Sequence, residues 1–377
     1  MTDWIEGRLP DRTPVRVHFA DGRIGAVETI ADGPDVLLLP GLVDLQVNGY
    51  AGFDVNSADV TPDEICHLVR ALWPHGVTSL CPTVITASAD SMLTSLRAIT
   101  AARAADPLVA HSIVAVHVEG PYLSELDGYR GAHPLDQIRE PDLAEFEAWN
   151  AAADGLIRIV TLAPERRGAT DYITALAGRG IVVSIGHTAA TPEQIDAAVG
   201  AGARMSTHLG NGSAALLPRS RNHVWPQLAA DRLTAGFIAD GHHLPAETFT
   251  AMVRAKGVDR SFLVSDSAAL AGCAPGTYST PVGGQVTVER DGSLMLTGTE
   301  YLAGSGNSLD ECVAWAATAT PFGLDTPVRL ATANPARLLR LADRGRLDVG
   351  AAADVIAVDI SAGFAVRKTV VAGETVH

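Results

Sequence analysis

The chain reads as an α/β protein, a TIM-like (β/α)8 barrel with a small β-sandwich domain formed from both chain termini. Three observations predict this. Eight short apolar runs of the kind that make buried parallel strands lie between residues 37 and 267. Most of the gaps between them carry helix-start signals, and both ends of the 377-residue chain are rich in short β-type runs.

The N-terminal stretch "VRVHFADGRIGAVETI" alternates apolar residues around Asp21-Gly22 and predicts a hairpin. The C-terminal stretch "DVIAVDISAGFAVRKTVVAGETVH" gives β-type runs broken by Ala-Gly turns, after the small-residue joint "DVGAAAD". Residues 1–40 and 343–377 are therefore expected to form the small domain and 41–342 the barrel.

The eight runs are "LLLPGLVDLQV", "GVTSLCPT", "SIVAVHVEG", "LIRIVTLAP", "IVVSIGH", "ARMSTHLG", "LTAGFIADG" and "SFLVSDS". Between them, Thr61-Pro62-Asp63-Glu64 and Thr191-Pro192-Glu193-Gln194 are capping boxes with proline at the first helical position. Longer helices are predicted over 88–105, 140–153 and 245–256, and a last one over 304–319, after a Gly-rich β insertion near 277–298. A doubly wound open sheet is the alternative, but no G-x-G-x-x-G follows an early strand.

Composition limits the function. Hydrophobic residues are 47% and charged residues 19%, so a large core is available. Asp plus Glu outnumber Lys plus Arg by 43 to 28, a formal charge of −15 that opposes binding to nucleic acid or an anionic membrane. No run reaches the roughly 18 apolar residues of a membrane span, and no secretory signal is evident. Cys66, Cys81, Cys273 and Cys312 form no C-x-x-C pair. The expectation is a soluble, cytoplasmic enzyme with reduced thiols and a small-molecule substrate.

Residues able to bind metal or move protons recur where the apolar runs stop: Glu119 in "HVEGP", His187 in "SIGHT", His208 in "STHLGN", His243 in "ADGHH" and Asp266 in "VSDS". A barrel collects all such ends on one face. A lone histidine after a strand is more often a loop or core residue, and Asp266 beside serines could simply cap a helix. Together, one carboxylate and two imidazoles suit Zn2+ with a water in the fourth position. Asp266 would then act as general base and acid. The loop "GYRGAHP" could bring His133 over a substrate carbonyl.

These segments, with "PGLVDLQVNG" and "ATANPARLL", resemble the amidohydrolase superfamily and, more narrowly, N-acetylglucosamine-6-phosphate deacetylases. The matches run in family order along nearly the whole chain, and the H-x-E-G-P and G-A-H-P pair is the most specific. The resemblance implies a TIM-like barrel beside a β-sandwich, a homodimer, and removal of acetate from N-acetylglucosamine 6-phosphate to give glucosamine 6-phosphate. It implies one divalent metal, Zn2+ first and Fe2+ or another transition metal as alternatives, held by Glu119, His187 and His208. Asp266 and His133 are the implied catalytic residues. His243, Asn211, Arg219 and Ala132 are the implied substrate contacts.

Two departures from the family stand out. Gln46-Val47-Asn48 replaces the H-x-H that many amidohydrolases use for a buried second metal, and amides are poor Zn2+ ligands. Gln46 and Asn48 are accordingly expected to touch substrate or water, and Asp44 to support the strand end. After His208 the family continues with an aromatic residue, Asn, Ala and Met, whereas Gly210, Asn211, Gly212 and Ser213 stand here. That leaves the phosphate open between Arg219, Arg221 and no contact, and keeps two other functions in play. One is an amidohydrolase for another N-acyl or cyclic amide; the other is a catalytically silent barrel scaffold.

Overall fold

The computed structural model describes residues 4–280, 284–298 and 302–377. Eight parallel strands form the barrel in sequential order: Leu42–Val47, Val77–Ile85, Val116–Glu119, Ile157–Leu162, Val182–Ile185, Met205–Ser206, Thr234–Ile238 and Ser261–Val264. First and last meet through a parallel bridge between Val47 and Ser267. The Asp266 N–H donates to the Gln46 carbonyl at 3.0 Å and the Asn48 N–H to that of Ser267 at 2.9 Å. These bonds close the ring and lock the opening strand to the segment that carries Asp266.

Inside, Val43, Leu45, Cys81, Ile159, Met205 and Phe262 pack as one apolar plug, sealed by Ala336 and Leu339. Outside, helices cover the strands as their caps dictate. The Thr61 and Thr191 boxes start Pro62–Leu72 and Pro192–Ala201, each with its reciprocal pair of hydrogen bonds in place. The predicted helices appear as Ala89–Ala105, Leu143–Ala152 and Ala246–Lys256. The last one begins at Leu309, later than predicted. A Cβ on Gly306 would lie 1.8 Å from the Gly292 carbonyl oxygen, so this segment must run as tight loop against the insertion before a helix can start.

Strands from both termini build one seven-stranded mixed sheet. It contains Trp4–Arg8, Pro14–Ala20, Arg23–Thr29, Leu37–Pro40, Val355–Asp359, Ala365–Val371 and Glu374–Thr375. At the predicted hairpin turn Asp21 and Gly22 have φ of 52° and 70°, the two left-handed residues such a tight turn requires. The hairpin folds back on the C-terminal segment through the Ile24 N–H to the Ala351 carbonyl at 2.9 Å, enclosing a separate core that includes Ile5, Val17, Leu38, Val355 and Val370. The apolar run 37–47 is thus two strands, one in each sheet. Gly41 makes the crossing because any Cβ there would sit 2.1 Å from Thr78 Oγ1.

The insertion forms a three-stranded antiparallel sheet of Gly276–Thr280, Gly284–Val288 and Leu294–Leu296, with residues 281–283 of the predicted span outside the described residues. All four cysteines are free. No helix among the described residues is long and apolar enough to cross a membrane.

Sheet and barrel are joined by a buried polar knot. Asp354 pairs with Arg344, lies 2.8 Å from His111 Nε2, and accepts the Ala372 N–H at 2.9 Å. Its side chain is 6% exposed and that of Arg344 11%, so removing the carboxylate strands a nearly buried guanidinium. Asp354→Ala is expected to lower the unfolding free energy by about 3 kcal/mol in urea denaturation. A loss below roughly 0.5 kcal/mol, the scale of an ordinary surface substitution, would show that the knot does not hold the two sheets together.

Candidate active site

Glu119 is the last residue of its strand, and His187, His208 and Asp266 each stand two residues beyond theirs. All three of these latter residues have positive φ, 49°, 29° and 50°. Left-handed backbone costs a residue with a Cβ about 1–2 kcal/mol. Such strain persists where surrounding bonds over-determine it and is concentrated at functional sites. Here the Ser124 N–H binds the His187 carbonyl and the Asn211 N–H that of His208, both at 3.0 Å.

Glu119 is the centre of the cluster. His187 Nε2 is 3.2 Å and His208 Nε2 3.1 Å from the same oxygen, Oε1, while the Gln46 side-chain amide donates to Oε2 at 3.1 Å. Burial alone would push this carboxyl up, but hydrogen bonds from His187 and His208 hold it well below the usual carboxylate range. His208 is raised despite its burial, through its bond to Glu119. His187 Nδ1 lies 2.9 Å from the Tyr129 carbonyl, a contact that fixes the ring with Nε2 toward Glu119. One carboxylate oxygen and two imidazole nitrogens this close to each other require a proton or a cation between them. The donor set fits a borderline-soft divalent metal.

His133 belongs to the same cluster. Ligand atoms of Glu119, His133 and His187 all lie within 4.8 Å of one another. The ring centroids of His133 and His187 are 4.4 Å apart, edge to face. Burial lowers His133 to about 3, so its imidazole is neutral, and its Nδ1 has no partner among the described residues.

Asp266 is pushed up to about 6 by burial, with the Glu119 charge adding to it and His208, His243 and a hydrogen bond from Asn48 pulling the other way. That bond, Asn48 Nδ2 to Asp266 Oδ1, is 2.7 Å long. Asp44 is fully buried and accepts the Ser265 N–H at 3.2 Å, so it supports the end of the last strand. The three polar side chains of the opening strand and its end thus reach three targets: Asp44 to Ser265, Gln46 to Glu119 and Asn48, just past the strand, to Asp266.

A cavity of about 440 Å³ opens over the cluster. Of the residues singled out in the sequence, Glu119, His187, His208, His133, Asp266, His243, Asn211, Ala132 and Asn48 all line it. His243 is oriented by Asp240, with Nδ1 2.6 Å from Oδ2, and it is His243 rather than His242 that faces the cavity. Asn211 presents a buried amide nitrogen with no partner among the described residues. Two expected substrate contacts do not face the cavity. Gln46 lies beneath it, bonded to Glu119. Arg219 is exposed on the outer side of its loop, where its carbonyl accepts the Trp225 indole N–H at 3.3 Å and the neighbouring Arg221 pairs with Glu193.

The Amidohydrolase family model matches residues 37–376. The chain belongs to the amidohydrolase family. An N-acetylglucosamine-6-phosphate deacetylase from Bos taurus is 35% identical to this amidohydrolase over 389 residues, spanning 99% of this chain and 90% of the relative. An N-acetylgalactosamine-6-phosphate deacetylase from Escherichia coli O157:H7 is 33% identical over 375 residues, spanning 98% and 96%. Among solved structures, an aspartate-to-alanine variant of the N-acetyl-D-glucosamine-6-phosphate deacetylase from Mycobacterium smegmatis, in complex with N-acetyl-D-glucosamine-6-phosphate, superposes with a TM-score of 0.88 at 30% identity. That match covers 99% of each chain.

The structure of this amidohydrolase adds residues that strand-end reasoning missed. Asp54 and Asn56 line the cavity from the loop after the opening strand, beyond the reach of a rule about where apolar runs stop. His117 lies below, neutral because burial lowers it to about 4, in a chain of short bonds through Thr161, Thr207 and Ser184. Two glycines crowd the His187 ring: a Cβ on Gly131 would be 2.9 Å from its Cε1, and one on Gly212 2.8 Å from its Nδ1, both at φ +58°. Gly212 belongs to the segment that departs from the family pattern.

Gly131→Ala should displace the His187 ring and weaken metal binding about 10–100-fold in chelator competition. Unchanged affinity would mean the ring is positioned by Tyr129 alone. A second prediction concerns Asp44, which burial raises to about 7. Because its folded value exceeds the unfolded 3.8, its contribution is fully present below about pH 4 and is lost as pH rises through 7. Asp44→Asn should therefore abolish a loss of about 2 kcal/mol that the parent protein shows between pH 5 and 8. Parallel stability profiles for the two proteins would remove the assignment.

Proposed function

We propose that this amidohydrolase removes the N-acetyl group of a phosphorylated amino sugar, N-acetylglucosamine 6-phosphate first, giving acetate and glucosamine 6-phosphate. The observation that carries the reading is the convergence of Asp266 and His133 on the Glu119–His187–His208 cluster in one cavity. Full-length similarity to deacetylases of this class supports the choice of substrate. With it go the homodimer implied by the resemblance and the cytoplasmic address implied by the unpaired thiols.

Glu119, His187 and His208 would hold one divalent cation, Zn2+ by preference for a carboxylate and two imidazoles, with Fe2+ or another transition metal as alternatives. When bound, such an ion supplies Lewis acidity, lowering the pKa of a water and polarising a carbonyl. Asp266 accepts the proton of the attacking water and returns it to the departing nitrogen, so that the C–N bond breaks to acetate and amine. A carboxyl raised to about 6 is ionised at neutral pH yet basic enough for that exchange. Neutral His133 donates a hydrogen bond to the acetyl oxygen as charge develops on it. His243, Asn211 and Ala132 border the sugar, and Gln46 and Asn48 hold Glu119 and Asp266 in place. Arg219 would serve the phosphate only if its loop turned inward.

A second reading within the class, deacetylation of N-acetylgalactosamine 6-phosphate, is favoured by the Escherichia coli relative. A panel of both sugars, with and without phosphate, decides between them by acetate release. No acetate from any amino sugar would sink the whole reading. Three substitutions test the roles. Asp266→Asn is expected to lower kcat about 10²–10⁴-fold with metal retained. His133→Ala should also keep metal, and His208→Ala should lose it. Metal loss in the His133 variant and retention in the His208 variant would exchange their roles.

A further inference from the structure

Once the cluster around Glu119 and Asp266 is assigned to the amide end of the substrate, one carboxylate in the cavity lining has no use. Asp54 lies on a short strand, Phe53–Asp54, directly opposite Gly49 and next to Asn48, the residue that holds Asp266. Its position is fixed by the framework. Oδ1 accepts the Asn56 N–H at 2.8 Å, and the Asn56 side chain in turn bridges the Thr83 carbonyl at 3.0 Å and the Ile85 N–H at 2.9 Å. The loop is thereby tied to the end of the second barrel strand.

No Lys or Arg among the described residues pairs with Asp54, and none lines the cavity. Its Oδ2 accepts no hydrogen bond from the described residues. Burial raises its carboxyl, with Glu64 adding to the effect. The second oxygen of this half-buried, rigidly held carboxylate faces the cavity solvent, and a ligand that displaces that solvent must supply donors of its own. An amino sugar bound with its acetamide at the metal cluster offers neutral O–H donors along its ring.

We propose that Asp54 is a specificity-determining residue that accepts hydrogen bonds from ring hydroxyls of the amino sugar. The assignment rests on the amino-sugar deacetylase reading above. It concerns binding of the sugar ring, so the acyl chemistry at Asp266 is left to the residues already named.

The test compares N-acetylglucosamine 6-phosphate with its 3-deoxy and 4-deoxy analogues in the metal-loaded protein, with Asp54→Asn and Asp54→Ala beside the parent. The parent should lose about 10–100-fold in kcat/KM on at least one analogue, the scale of a hydrogen bond to a charged group. Asp54→Ala should lose a similar factor on the full sugar, mainly through KM, and nothing further on that analogue. Asp54→Asn, which keeps an oxygen for the Asn56 N–H, should fold normally and show the same pattern in weaker form. The inference is overturned if the parent treats both deoxy analogues like the full sugar, a result that needs no variant. It is equally overturned if the deoxy penalty survives undiminished in both variants. Failure of the parent to release acetate from the full sugar would instead remove the deacetylase reading, and the Asp54 role with it.

Discussion

A buried carboxylate at the C-terminal end of a barrel strand is stable as an anion only if the protein surrounds it with donors, and the site is organised around satisfying Glu119. Desolvation of such a group costs several kcal/mol when it is unpaired. Three barrel strands and their extensions answer that cost: Gln46 from the first strand on Oε2, and His187 and His208 from the fifth and sixth on Oε1. Each partner must arrive within hydrogen-bond distance, so the register of the strands and the turns after them are constrained together. The left-handed backbone at His187 and His208 is one consequence, since it turns two imidazoles inward immediately after strands that run toward solvent.

The same constraint explains the amide pair on the opening strand. Where many amidohydrolases resemble one another in an H-x-H motif, this chain has side chains that donate hydrogen bonds rather than bind metal. Gln46 serves Glu119 and Asn48 serves Asp266, so the first strand orients the two carboxylates of the site and keeps them on separate donors. Asp44, one step further down, serves the neighbouring strand end and closes the barrel at Ser265. Chemistry and ring closure therefore share the six-residue strand Leu42–Val47 and the residue that follows it, Asn48.

The loops above the site matter through what they leave out. Gly131 and Gly212 come from connections far apart in the chain and both approach the Nδ1–Cε1 edge of the His187 ring, at positions where a Cβ would collide with it. The segment after His208, which departs from the family pattern, thus retains a positioning task. The insertion beyond the last barrel strand contributes the apolar residues Val286 and Leu294 to a cavity lining that also holds the polar cluster. Such a mixed lining suits a ligand with a polar reacting end and a partly apolar ring face.

Much of this was legible in the sequence, for definite reasons. Apolar runs spaced by capping boxes identify buried parallel strands with covering helices, because burial on both faces and helix initiation leave local signatures at Thr61 and Thr191. Glu119, His187, His208 and Asp266 were visible because a barrel sends every strand end to one face, so position at the end of an apolar run already implies convergence. What residue order could not supply was which atoms would meet. Gln46 looked like a ligand-facing amide until the fold placed Glu119 beside it. Arg219 had the right spacing for an anion contact but faces outward once its loop is tied to Trp225. Asp54 carried no signal at all, because its value lies in being carried over the cavity by a loop anchored to a different strand. Periodicity and caps are local properties that a linear chain records; hydrogen-bond partners separated by 73 residues, as Gln46 and Glu119 are, exist only after the barrel has closed.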